Sequence, residues 1–92
     1  MITAAQLRAA RALLGIDQKD LAASSGLSLP TIQRMEASDG VIRGTVDSLV
    51  KLTHALDAAG VELIAENTVS QGIGRGVRLK SAARKQRAPL RR

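Results

Sequence analysis

Apolar side chains recur at helical spacing through the first two thirds of this chain, then switch to strict alternation. Thr3 and Gln6 have capping-box spacing, and Leu7, Ala10, Leu13 and Leu14 give a first predicted helix its buried face before Gly15 ends it. A second helix is predicted from about Gln18 to Ser25, with Leu21 and Ala22 inward and Ala22 small enough to let a neighbouring helix approach. Gly26 supplies the turn that follows, because a residue without a Cβ enters the left-handed conformation at little cost. Ser28 can cap a third helix, predicted from about Leu29 to Ala37, and Pro30 suits its first turn, where a missing N–H does little harm. In that helix Ile32 and Met35 point to the core, while Pro30, Gln33, Arg34 and Ala37 fall on the opposite stripe. Asp39-Gly40 breaks the pattern, Val41 to Gly44 form a loop, and Thr45 caps a fourth helix. Its Val46, Leu49, Val50, Leu52 and Leu56 are expected to cover the base of a bundle, with Gly60 closing the helix.

Beyond Gly60 the period becomes two. Val61, Leu63 and Ala65 alternate with Glu62, Ile64 and Glu66, and after a glycine-rich stretch Val77 and Leu79 alternate with Arg78 and Lys80. The pattern predicts a β-hairpin over residues 61–80, with Glu62 and Glu66 set against Arg78 and Lys80 at about 0.2–1 kcal/mol per cross-strand pair. A lone two-stranded ribbon is marginal in water, so it must either pack on the helices or add strands from a second chain, and the second option makes it a dimerisation element. Residues 81–92, SAARKQRAPLRR, carry five basic residues and no acid, with Pro89 against helix formation, and read as a disordered basic tail. Such an arm either contacts the phosphate backbone or a minor groove, or is a solvated tail that aids solubility. The expected organisation is thus a bundle over 1–60, a hairpin over 61–80 and a tail over 81–92.

The run Asp17 to Glu36, DQKDLAASSGLSLPTIQRME, resembles the helix-turn-helix of the Cro and phage-repressor (XRE-like) family through Gln18, Leu21-Ala22, Gly26, Ser28, Ile32 and Glu36, and the likeness extends over roughly residues 3 to 60. The resemblance implies a mainly α fold, a compact bundle of four or five helices, and sequence-specific binding of double-stranded DNA by a homodimer. It maps base reading onto Leu29, Pro30, Gln33 and Arg34, and phosphate contact onto Gln18 and Ser28; Lys19, Thr31 and Arg43 are further phosphate candidates. It also implies that Arg11, late in the first helix, pairs with Glu36 at the end of the reading helix and fixes its angle. Leu29-Pro30 departs from many relatives, which carry a polar pair there, and leaves fewer hydrogen-bonding side chains for base edges. Arg34 could take a guanine, Gln33 an adenine and Leu29 a thymine methyl.

Charge sharpens the picture. Through residue 60 six Lys or Arg face six Asp or Glu, whereas residues 61–92 hold eight against two, so the formal +6 lies entirely in the last third. A basic face on the bundle would draw on Lys19, Arg34, Arg43 and Lys51. The chain has no cysteine, which excludes disulfides and thiolate metal sites and fits a reducing cytoplasm, and no apolar run approaches the ~20 residues that span a bilayer. Without Phe, Tyr or Trp it lacks the stacking platforms of single-strand binders, so duplex DNA fits better. His54, the single histidine, has no second His or Cys to complete a metal site and reads as structural or solvent-facing. Gly72 to Gly76 read as a flexible hairpin connection, because no strand-loop-helix unit surrounds them. No nucleophile and base can be assembled, and no cofactor is implied. Two functional readings follow: a dimeric transcriptional repressor on an operator with half-sites about one helical turn apart, or an antitoxin that binds a toxin protein and represses their shared operon.

Overall fold

The computed structural model describes residues 2–80, and the expectation of a disordered tail concerns residues 81–92, outside them. Four helices form: α1 (Ala4–Leu14), α2 (Gln18–Ser25), α3 (Leu29–Glu36) and α4 (Val46–Ala58). Each begins where a side chain relieves unpaired amides. Thr3 and Gln6 exchange backbone hydrogen bonds at the start of α1, and Asp17 and Asp20 do the same at α2. Ser28 accepts from the Thr31 amide at α3, and Thr45 from the Ser48 amide at α4. Gly26 ends α2 at φ 76°, a left-handed turn that sends the chain directly into the Ser28 cap.

The four helices close over Leu7, Leu21, Ile32, Met35, Leu52 and Leu56, all less than 2 % exposed. Ala22 is buried too, at the small-residue position where α2 approaches its neighbours. The chain start straps this core. Ala4 N donates to Gly40 O at 2.8 Å and Ile42 N to Ile2 O at 3.1 Å, which buries Ile2 and Ile42 and fixes the loop between α3 and α4.

Two expectations of burial are corrected. Leu13 is 56 % exposed, since it lies about 100° around the α1 axis from Leu14, which packs against the core. Val46 and Val50 are 78 % and 59 % exposed, because Leu52 and Leu56, with Leu49 beside them, already define the inward stripe of α4.

The expected β-hairpin over 61–80 is also corrected: no strand forms among the described residues, and the only bridge there joins Thr3 to Val41. Val61 and Leu63 pack against the core, and Gln6 Nε2 donates to Ile64 O at 3.1 Å. Past that anchor the segment turns back on itself as a loop. The Glu62 carboxylate accepts from Ser70 Oγ at 3.0 Å, Gln71 N at 2.8 Å and Gly72 N at 2.9 Å, which holds its carboxyl below the ordinary value. Arg78 donates to Thr68 O at 2.6 Å and Ala65 O at 2.9 Å. Of the four side chains expected to pair across strands, Glu62 and Arg78 thus bind mainly main chain instead. The physical reason lies in the other face of the alternation: Val69, Ile73, Val77 and Leu79 are exposed, and with nothing for them to pack against a two-stranded ribbon has no net gain.

Candidate nucleic-acid interface

Helix α3 is built with one face locked and the other free. Its inward residues Ile32, Met35 and Glu36 are buried, at 0 %, 1 % and 6 % exposure, while Pro30, Gln33, Arg34 and Ala37 are exposed. A helix of eight residues gains little from its own hydrogen bonds, so packing against α1 and α2 is what holds it.

Glu36 is the anchor. Arg11 straddles its carboxylate: Nε pairs with Oε2, and Nη2 donates to Oε1 at 2.8 Å. Gln18 Nε2 donates to the same Oε1 at 3.1 Å, and Arg8 Nη1 donates to the Glu36 carbonyl at 2.5 Å. One residue at the end of α3 therefore ties it to the middle and end of α1 and to the first residue of α2. Burial opposes the charged form of Glu36, but hydrogen bonds from Arg11 and Gln18, with the charges of Arg11 and Arg8, outweigh it and hold the carboxyl below its usual range. Hydrogen bonding to Glu36 likewise raises the Arg11 guanidinium above its ordinary value. Arg11 Nη1 also reaches Ile16 O at 3.2 Å, bracing the corner between α1 and α2.

Along the outer face, Ser28 Oγ and Thr31 Oγ1 lie 2.8 Å apart and Arg34 Nη2 donates to Thr31 Oγ1 at 3.3 Å. Ser28, Thr31 and Arg34 thus form one polar row, with Gln33 exposed beside it. Lys19 and Arg43 are exposed on α2 and on the loop before α4. Leu29 is half-buried against the core, which leaves Pro30 as the fully outward apolar residue at the leading end of α3. Gln18, expected at a phosphate, has its side-chain amide engaged by Glu36. Arg8, overlooked in the sequence, sits one turn before Arg11 on α1, and that i, i+3 spacing is the signal that could have found it. His54 is exposed on α4, and among the described residues no three His, Cys, Asp or Glu side chains group as a metal site would require. No helix there is long and apolar enough to cross a membrane.

No significant similarity links the chain to a curated protein or to a solved structure. A family model described as helix-turn-helix matches residues 7–63, from the middle of α1 through all of α4. That span holds the Gly26 turn, the α2–α3 corner and the Arg11–Glu36 tie, and on it the chain belongs to the Cro and phage-repressor (XRE-like) helix-turn-helix family of DNA-binding transcriptional regulators.

Proposed function

We propose that the protein is a dimeric repressor that recognises a pseudo-palindromic operator, with α3 of each copy in successive major grooves about one helical turn apart. The observation that carries this reading is the division of α3: its inner face is immobilised by Ile32, Met35 and Glu36, and its outer face offers Gln33 and Arg34. Fixing one face lets the other meet base edges without the entropy loss of ordering the helix on binding.

In the complex Arg34 takes two acceptors of a guanine, and Gln33 the acceptor and donor of an adenine. Pro30 and the exposed part of Leu29 provide apolar contact for a thymine methyl. Ser28, Thr31, Lys19 and Arg43 lie where backbone oxygens would pass, and Gln18 adds a phosphate contact through its main chain, since its side chain braces Glu36. With two strong hydrogen-bonding readers, the shape of the duplex contributes a larger share of specificity.

Selection from a random duplex pool, followed by titration of the preferred duplex and a scrambled one, tests the reading. Arg34→Ala is expected to lose about 1–3 kcal/mol on the preferred duplex and far less on the scrambled one. Equal losses on both would remove Arg34 from base reading, and a pool that yields no preferred duplex would overturn operator recognition.

A further inference from the structure

The outward face of α4 carries a second surface. Val46, Val50, Thr53 and Asp57 follow one another at i, i+4, i+7 and i+11, a stripe along one side of the helix. The two valines are the most exposed large apolar residues on the four helices, at 78 % and 59 %. Beside them lies an open groove of about 850 Å³ whose far wall is Val61, Glu62 and Leu63. That wall is preformed: Val61 and Leu63 pack against the core, and the Glu62 carboxylate is taken up by Ser70, Gln71 and Gly72.

We propose that this face is the dimer interface, occupied by α4 of a second copy running antiparallel, with Val50 on the twofold axis. Charge complementarity selects that occupant and that direction. An isologous contact repeats every pairing twice, so the stripe must suit its own reverse. With Val50 on the axis, Val46 meets the ring of the second copy's His54, and Asp47 falls beside that same imidazole, whose N–H can donate to its carboxylate. Asp47 keeps an oxygen for this, since Lys51 Nζ reaches Oδ2, at 3.2 Å. Like charges separate: the two Asp47 residues stand six positions apart, about 9 Å along the helix axis. A parallel pairing would instead set Asp47 level with Asp47 and His54 level with His54, so that acid and imidazole would not meet. The chain's own residues 81–92, five of them basic, hold a single large apolar residue, Leu90, against the two exposed valines.

This surface deepens the repressor reading, on which its role at an operator rests, yet it is tested without DNA. The chain has no cysteine, so Val50→Cys introduces a single thiol. Helices packed about 8–10 Å apart, with Cα atoms about 2.3 Å from each axis, bring residues on a twofold to about 5 Å at the wider spacing, within disulfide reach. Mild oxidation of the full chain should therefore link Val50→Cys to itself, whereas Leu13→Cys, on the exposed side of α1, should stay unlinked. Val50→Glu should weaken the dimer by about a hundredfold in sedimentation equilibrium, with helical circular dichroism unchanged.

Cross-linking no better at position 50 than at position 13, a wild-type chain that sediments as a monomer, or a Val50→Glu dimer of undiminished strength would each overturn the interface. A monomer would leave the groove to residues 81–92 or to a different protein. A dimer that selects an operator but neither cross-links at position 50 nor weakens in Val50→Glu sinks this surface alone; a cross-linked dimer with no preferred duplex sinks the repressor reading alone.

Discussion

At the scale of single residues, Glu36 decides how well α3 is aimed. It is 6 % exposed and carries a full charge, and a buried carboxylate is tolerable only while its partners remain. Arg11→Met keeps the aliphatic stem but removes the cation, and should cost about 3–5 kcal/mol in chemical unfolding. Glu36→Gln, which leaves no uncompensated carboxylate, should cost less. The pH dependence has a definite sign. Because the folded state holds the Glu36 carboxyl below its usual range, it binds its proton less readily than the unfolded chain does. The resulting stability is complete above the ordinary carboxylate range and is lost as pH falls through the depressed folded value. In Arg11→Met the largest favourable partner is gone and burial pushes the folded carboxyl back up toward its unfolded value, so thermal melts followed from neutral to acid pH should lose less stability than wild type loses over the same range. Coincident acid limbs would show that Arg11 does not set the ionisation of Glu36.

At the scale of elements, α2, α3 and the corner between them form a unit whose geometry depends on Gly26. Its φ of 76° is strained for any side chain, yet a Cβ built there meets nothing within 4 Å. The cost of Gly26→Ala is therefore conformational, about 1–2 kcal/mol, and Gly26→Asn should cost less because asparagine tolerates the left-handed region. If alanine were neutral by denaturant titration, the corner would not require glycine. The helices were legible in the chain because start, face and stop agree in each: Thr3 with Gln6, Ser28 with Pro30, Thr45, then Gly15 and Gly26. Asp17 caps α2 as well, and its spacing to Asp20 is the signal in the chain that could have found it. The segment after Gly60 misled for a different reason. Alternation reports a strand only if one face finds something to cover it, and Val69, Ile73 and Val77 find nothing. Similarly, Val46 and Val50 fit a helix but not its buried side, because apolar spacing in α4 is wide enough to describe two stripes. Of the interface, Gln33 and Arg34 could be placed outward from spacing alone. The engagement of Gln18 with Glu36 could not, since it depends on how α2 meets α3 in three dimensions.

At the scale of the whole molecule, the uneven charge separates two contributions to binding. The region through residue 60 balances six cations with six acids, so its attraction to duplex depends on where Lys19, Arg34 and Arg43 sit rather than on net charge. Five of the fourteen basic residues lie in residues 81–92. If those residues follow the phosphate backbone, each neutralised phosphate steepens the fall of log affinity with log salt by about 0.9. Truncation after Lys80 should then flatten the slope by up to about 4.5, while the duplex selected from a random pool stays the same. The two readouts are independent: counterion release carries no sequence information, and base edges on α3 contribute little to the salt slope. An unchanged slope would assign all phosphate contact to the helical bundle, and a changed selected sequence would show that residues 81–92 take part in reading the operator.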